Sequence, residues 1–463
     1  MNISFCLSAI VLVSLLYPLI NLTRVGKHHL ALFSKQFMSF FSVVFGLIAL
    51  EIGGSMMLGT CQEAYSIGIY GLLYVVGISA GFLLLGFGLA AKMKTMNVES
   101  TMDLFEIQYK SPLIRTSASL LSIVTVWGLL LGQIIATKSL IHALGIKNDY
   151  IFIGVMFLVI MYAILGGLRA AGITWQAQLI YTIIVFGGIF GFCIFMEPPS
   201  TSLSSLFLDA TLFPHSTINF TTVFSSVVMP ALYYITDQEF AKPLFETSNK
   251  YVAACAALCA SFFMLLFSLV PIYFGIKAKM LHLTVPDDMS PLIPVLSKLT
   301  NGTVVFLAVC GMAAALIAMI DYYLWSVSMS ITHELGHAYP WFKNNNRCDK
   351  ILVFIVGVVA MLGTYCTTSS AIQILLYSYE LYDSCLIVPL TMSYFQSDLK
   401  KGSAIGAIMF GLGGFILFQI ITVSFSGQIA SLVLSLIGFY CGGLVENGIT
   451  KLKTLRRSHT CSV

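Results

Sequence analysis

The stretch Leu47-Ile48-Ala49-Leu50-Glu51-Ile52-Gly53-Gly54-Ser55-Met56-Met57-Leu58-Gly59 is apolar like a membrane helix, yet Glu51 and the Gly53-Gly54 pair interrupt its centre. A second interrupted stretch, Val228-Met229-Pro230-Ala231-Leu232-Tyr233-Tyr234-Ile235-Thr236-Asp237-Gln238, opens the other half of the chain. Glycine pairs and prolines break the helical ladder. Inside a bilayer the freed backbone groups are tolerated only where protein or a water-filled cavity solvates them. Broken helices at matching places in two halves are the pattern expected of a secondary transporter with a binding site near mid-membrane.

Composition agrees with a membrane setting. The chain has 463 residues, of which 58% are hydrophobic and 10% charged, and its mean hydropathy is +0.92. That leaves too little polar surface to cover a soluble globule, so the fold class is an all-α polytopic membrane protein. Apolar runs long enough to cross about 30 Å of hydrocarbon predict about 13 helices. They lie near residues 3–21, 37–59, 68–91, 116–142, 150–168, 175–196, 218–236, 252–276, 303–332, 351–366, 371–395, 405–423 and 429–445. No linker divides the chain, which reads as one transmembrane domain over 1–463. Within it, 1–36 form an extra N-terminal helix and loop, 37–196 a first repeat, 218–395 a second, 403–445 two further helices and 446–463 a cytoplasmic tail. Repeats of five helices each point in opposite directions, which makes the repeat an inverted one.

Charge sets the orientation. An amino terminus outside and a carboxyl terminus in the cytoplasm place about 19 of the 24 Lys and Arg residues in cytoplasmic loops and tail. These basic residues are dispersed through short loops, so the chain presents no stripe for nucleic acid. The first apolar run lacks a basic n-region and a small-residue cleavage site and reads as a retained helix. The 11 cysteines are scattered without a CxxC pair and read as small packing residues.

The stretch Leu50 to Gly59, continuing through Ala64-Tyr65-Ser66-Ile67-Gly68 and Gly71-Leu72, resembles the first core helix of the sodium:solute symporter family. Four further segments carry the resemblance: Gln133-Ile134-Ile135-Ala136, Gly166-Gly167-Leu168-Arg169-Ala170-Ala171, Tyr233 to Phe240 and Ala313 to Leu324. They span nearly the whole chain, in order. The resemblance implies a five-plus-five inverted-repeat fold and thirteen helices with an outward amino terminus. It also implies cation-coupled symport of a small organic solute by alternating access across a bacterial-type inner membrane, with no cofactor beyond a co-transported Na+ or H+, and no enzymatic activity.

The family's sodium site takes backbone carbonyls that fall here at Ala49, Ile52 and Ala315, and two adjacent hydroxyls that fall at Ala318 and Met319. Its Thr-Asp pair falls at Thr174-Trp175. Both hydroxyls and the carboxylate are therefore absent from their expected places, and a hard cation is poorly served by a thioether. The resemblance further implies that Gly53, Gly54, Ser55 and Met56, with Tyr233 and Tyr234, line the substrate cavity. Gln133 is a candidate polar wall residue or a bridge between helices.

Ionisable groups within the hydrocarbon are costly and default to functional hypotheses. Glu51 adjoins the carbonyl position Ile52, and Asp321 follows Met319 by two residues. Glu380 and Asp383 lie one turn apart on one helix face, a pair suited to carry a proton or hold a cationic group, with interfacial water or backbone donors as the plainer account. Glu51, Glu380 and Asp383 are thus candidate coupling acids, and proton coupling or uniport is the alternative to sodium. Lys138, near a helix end, is expected to snorkel. From a different class, His333-Glu334-Leu335-Gly336-His337 matches the HExxH pattern of zinc metalloproteases. Pro340 places that motif at a cytoplasmic helix end and no third ligand is apparent nearby, so the sequence reading assigns no metal.

Overall fold

The computed structural model describes residues 39–96, 98, 101–196, 219–286, 289–338, 346–396, 399–420 and 427–460, with backbone alone at 166–177, 334–338, 346 and 450–460. The expected first helix at 3–21 lies outside the described residues. Helix α1 is Phe40–Ala49 and ends at the first interruption, and a wide π-type turn over Ser55–Gly59 then leads into α2, Thr60–Ile67. Helix α3 is Leu73–Leu84, continued as far as Thr95 through a second wide turn at Leu85–Leu89. Helix α4 is Thr101–Tyr109, α5 is Pro112–Ala143 and α6 is Asp149–Phe195. The second half opens with turns over Phe220–Val228, followed by α7, Met229–Thr236, and α8, Gln238–Phe245. Then follow α9, Lys250–Met280, α10, Leu292–Leu299, and α11, Gly302–Ala338. Helix α12 is Asn346–Gly363, α13 Ala371–Phe395, α14 Lys401–Ile420 and α15 Gly427–Thr460.

Among the described residues, 7 helical segments are long and apolar enough to cross a membrane, and three shorter apolar segments are Phe40–Ala49, Asp149–Leu165 and Phe220–Thr236. The chain is an all-helical polytopic membrane protein. One expected boundary takes a different form. Two separate helices were expected over 150–168 and 175–196, whereas the backbone is helical throughout 149–195. The two glycines at 166 and 167 cost about 1 kcal/mol each in a helix, but the Leu-Arg-Ala-Ala run that follows favours one.

Capping groups set several starts. Asn249 accepts from the N–H groups of Tyr251 and Val252, and Ser370 with Gln373 forms a reciprocal capping box at the head of α13. Small residues decide which helices approach closely. A Cβ at Gly77 would stand 2.6 Å from the Val227 carbonyl oxygen, and one at Gly81 would stand 2.7 Å from Tyr234 Cβ. Helix α3 is thereby seated directly on the second interrupted helix. Gly275 of α9 meets Ala64 and the backbone of Tyr65 in the same way, holding α9 against α2. In a bilayer such close backbone approach substitutes for the missing hydrophobic drive between helices.

Candidate functional site

At the first break the helical ladder fails between Ala49 and Gly53. The N–H groups of Glu51 and Ile52 both turn to the Ile48 carbonyl at 3.0 Å, and the Gly53 N–H goes to the Glu51 carbonyl at 2.7 Å. The Ala49 carbonyl thus loses the donor that a continuous helix would supply, as carbonyls at a helix end do. Gln133 of α5 clasps the far side of the break. Its Oε1 accepts from the Ser55 N–H at 3.3 Å, and its Nε2 donates to Ser55 Oγ at 2.6 Å. Gln133 therefore bridges helices, one of its two expected roles.

Helix α11 closes the other side. A Cβ on Gly53 would lie 2.8 Å from Met319 Cγ, and one on Gly54 would overlap the Leu316 side chain. The segment carrying Ala315, Ala318 and Met319 therefore faces the break that carries Ala49, Ile52, Gly53 and Gly54, and all of these, with Met56, are buried. Asp321 is buried as well, and its Oδ1 has no hydrogen-bond partner. Gly54→Val is expected to lower stability by about 1–3 kcal/mol through overpacking against Leu316. The melting temperature of the purified protein checks this, and an unchanged value would show that α11 yields at no cost.

The second break is built around Asp237. Its backbone is extended, with φ −66° and ψ 139°, and its Oδ2 accepts from the N–H groups of Glu239 at 2.8 Å and Phe240 at 3.3 Å. Asp237 both ends α7 and caps α8, and the Tyr233 hydroxyl lies beside its carboxylate. The Thr236 carbonyl receives the Tyr382 hydroxyl from α13 at 3.1 Å. Glu239 is fully engaged, taking Lys242 Nζ at 2.9 Å, Ser326 Oγ at 2.7 Å and the Tyr322 hydroxyl. These bonds tie α8 to α11. Tyr322→Phe removes one hydrogen bond to a buried carboxylate and is expected to cost about 1.5–3 kcal/mol. A lowered melting temperature is the readout, and no change would mean that Ser326 and Lys242 suffice.

Between the breaks stands a cluster of aromatic rings. Tyr233 stacks on Tyr379 at 4.3 Å and meets Tyr382 edge-on at 5.2 Å. Tyr234 stacks on Phe240 at 4.3 Å. The hydroxyls of Tyr74 and Tyr379 are 3.2 Å apart. Both Tyr233 and Tyr234 are fully buried, the Tyr233 hydroxyl beside the Asp237 carboxylate and the Tyr234 hydroxyl beside Glu51. Tyr74, Tyr234, Tyr323 and Tyr379 all lie within electrostatic reach of Glu51. Of this cluster the sequence reading placed Tyr233, Tyr234 and Glu51 at the site. It missed Tyr74, Tyr323, Tyr379, Tyr382 and Asp237. The Asp237 carboxylate carried a usable signal, an Asp immediately before a helical segment. The tyrosines carried none, because helical spacing does not separate a cavity wall from packing.

Glu380 and Asp383 share a face of α13 but meet different surroundings. Glu380 lines a cavity of about 390 Å³ together with Glu63, Tyr70, Tyr74, Phe224 and Tyr377. There it accepts from Gln428 at 3.3 Å and Gln419 at 3.4 Å, and Gln428 also reaches Ser225. Asp383 is wholly buried, and neither carboxylate oxygen has a partner. Lys138 reaches Asp149 at 3.6 Å and lies over the Tyr365 ring, away from the breaks. Of the HExxH motif, His333 is exposed and its Nδ1 is 3.2 Å from Arg115, while the side chains of Glu334 and His337 lie outside the described residues. The same is true of Thr174, Trp175 and the 166–171 segment. Among the described residues no group of three or more His, Cys, Asp or Glu is placed to hold a metal ion.

No family model matches the chain. Among solved structures it is similar to a Na+-coupled sialic acid symporter in a substrate-bound outward-open state, with TM-score 0.70 and 13% identity over 96% of this chain and 95% of that one. It is also similar to Mhp1, a nucleobase-cation-symport-1 family transporter in a closed conformation with bromovinylhydantoin bound, with TM-score 0.51 and 14% identity over 90% and 94% of the two chains. At these identities the likeness concerns the fold: the chain has the fold of cation-coupled symporters.

Proposed function

We propose that this protein is a secondary active transporter, of the sodium:solute symporter type that its sequence resembles, moving a small organic solute together with a cation by alternating access. One observation carries the reading. Two helices broken at corresponding places face a shared buried cluster of carboxylates and tyrosines, on a fold held in common with symporters over almost the full chain. Interrupted helices present backbone carbonyls and half-helix dipoles to ions and solutes, and rocking of one helix bundle against the other exposes the site to each side in turn.

In this mechanism Gln133 and Ser55 hold the first break in shape, and Asp237 holds the second. The Tyr74–Tyr379 contact stands between the 390 Å³ cavity, which Tyr74 also lines, and the buried cluster around Glu51. Opening that contact would admit solute from the cavity. The coupling cation would meet the carbonyls of Ala49 and Ile52 against the segment of α11 from Ala315 to Met319. Uptake into proteoliposomes of a pooled amino-acid, sugar, amine and organic-acid panel tests the reading, with sodium and proton gradients imposed separately. Gradient-driven accumulation of any member is expected, and passive equilibration alone would leave a uniporter of the same fold.

Proton coupling is the second reading. It is favoured by Ala318 and Met319, which offer no side-chain oxygen, and by Glu51 and Asp321, which are buried where, among the described residues, Arg115 is the one buried basic side chain. Uptake driven by a proton gradient and abolished in Glu51→Gln would support it. Uptake that follows sodium and ignores the proton gradient would remove it.

A further inference from the structure

Among the described residues, Asp383 is a buried carboxylate left wholly without donors. It is 0% exposed, and neither of its oxygens has a hydrogen-bond partner. A buried carboxylate without donors is costly by several kcal/mol, roughly, and persists where something else satisfies it. Its surroundings are defined by the docking of α13 onto the second break. Tyr382, the preceding residue, donates to the Thr236 carbonyl at 3.1 Å, and Tyr379, one turn above, stacks on Tyr233 at 4.3 Å. Asp237 lies within electrostatic reach, with the Tyr233 hydroxyl beside it. A carboxylate with no donor and a second acid thus converge beside aromatic faces. No basic side chain supplies the missing charge: among the described residues Arg115 is the one buried basic residue, and it is engaged by Asp103 and Glu106.

We propose that Asp383 and Asp237, walled by Tyr233, Tyr379 and Tyr382, form the docking site for the charged amine of the transported solute, so that the substrate is a primary organic ammonium compound. The inference rests on the transport reading and assigns its substrate class. An ammonium group brings three N–H donors and a positive charge to a place holding two carboxylates and a tyrosine hydroxyl oxygen. Tyrosine faces stabilise the same charge through their ring quadrupoles. The cavity above repeats this chemistry, with Glu63 and Glu380 set among Tyr70, Tyr74 and Tyr377. It would gather cations before they reach Asp383. A sugar or a carboxylate would leave the buried acids unanswered.

The test uses the full chain in lipid nanodiscs, with melting temperature as the readout. The probes are methylammonium, putrescine, tetramethylammonium, 1,4-butanediol and sodium chloride at matched ionic strength. Methylammonium or putrescine is expected to raise the wild-type melting temperature by about 3 °C or more at saturation. Tetramethylammonium, which has no N–H, should do less, and butanediol nothing. Asp383→Asn should melt no lower than wild type without ligand and should lose the amine response. Tyr233→Phe, which removes the hydroxyl beside Asp237 but keeps the ring, should weaken that response. The proposal is overturned if no amine shifts the wild type, if the shift survives in Asp383→Asn, or if sodium alone produces the same Asp383-dependent shift. Proteoliposome uptake separates the two levels. Gradient-driven uptake of neutral or anionic solutes alone would keep the transporter and remove the ammonium site. Asp383-dependent amine binding without any uptake would keep the site and remove the transport reading.

Discussion

Ala318→Ser combined with Met319→Ser is expected to tighten sodium binding about tenfold or more, equivalent to about 1.4 kcal/mol. Met319 faces the first break, with Ala318 beside it in sequence: Met319 Cγ stands 2.8 Å from where a Gly53 Cβ would be, and Leu316, one turn back on α11, fills the space beside Gly54. Sodium needs oxygen ligands, and neither a methyl group nor a thioether provides one. Two serine hydroxyls would add oxygen ligands to the proposed site at the carbonyls of Ala49 and Ile52. The change also removes buried apolar volume, so the variant without sodium should be less stable by about 2–4 kcal/mol. The decisive quantity is the rise of melting temperature with sodium, against potassium at the same ionic strength. A steeper sodium response in the double variant is the expected result. An identical response in both proteins would show that the cation is held elsewhere, or that sodium has no part in the cycle.

How much of this could be read in advance differs between backbone and side chains. The first break was legible because Gly53-Gly54 and Glu51 are conspicuous in an apolar run, and the second because Pro230 flags another, although Pro230 lies in the first turn of α7 and the break itself falls at Asp237. Membrane helices announce themselves by length and hydropathy, which is why α5, α9, α11 and α13 occupy nearly their expected ranges. The continuous helical backbone of α6 was not legible, since a glycine pair is a weak breaker whose effect depends on its packing. At the site, Glu380 and Asp383 looked alike at i and i+3. One lines a cavity under two glutamines and the other is sealed without a donor. That separation depends on where α14 and α15 lie beside α13 and on how Tyr382 anchors α13 to Thr236, neither of which is written in local spacing. The tyrosine cluster was hidden for the same reason. Its members come from α3, α7, α11 and α13, and only the tertiary fold collects them around Glu51.

Asp237→Ala should be among the most damaging single substitutions in the protein, and Asp237→Asn far milder. Asp237 Oδ2 accepts from two buried N–H groups, those of Glu239 and Phe240, at the start of α8. Removing an N-cap costs about 1 kcal/mol in water. Here no water replaces the lost acceptor, and each orphaned buried donor adds about 1–3 kcal/mol. The combined loss of about 3–5 kcal/mol would fall on α8, whose Glu239 holds Ser326 and Tyr322 of α11. The asparagine side-chain oxygen can accept the same two hydrogen bonds and keep the break in shape. Folded yield after size-exclusion chromatography and the melting temperature should therefore rank wild type close to Asp237→Asn and well above Asp237→Ala. Solute uptake should separate the remaining pair. Asp237→Asn retains the cap but loses the charge, so it should fold yet take up a cationic solute at least tenfold more weakly, a loss of about 1.4 kcal/mol or more in binding. Equal uptake by wild type and Asp237→Asn would confine Asp237 to capping. Equal stability of Asp237→Ala and Asp237→Asn would mean that α8 draws its start from contacts other than this carboxylate.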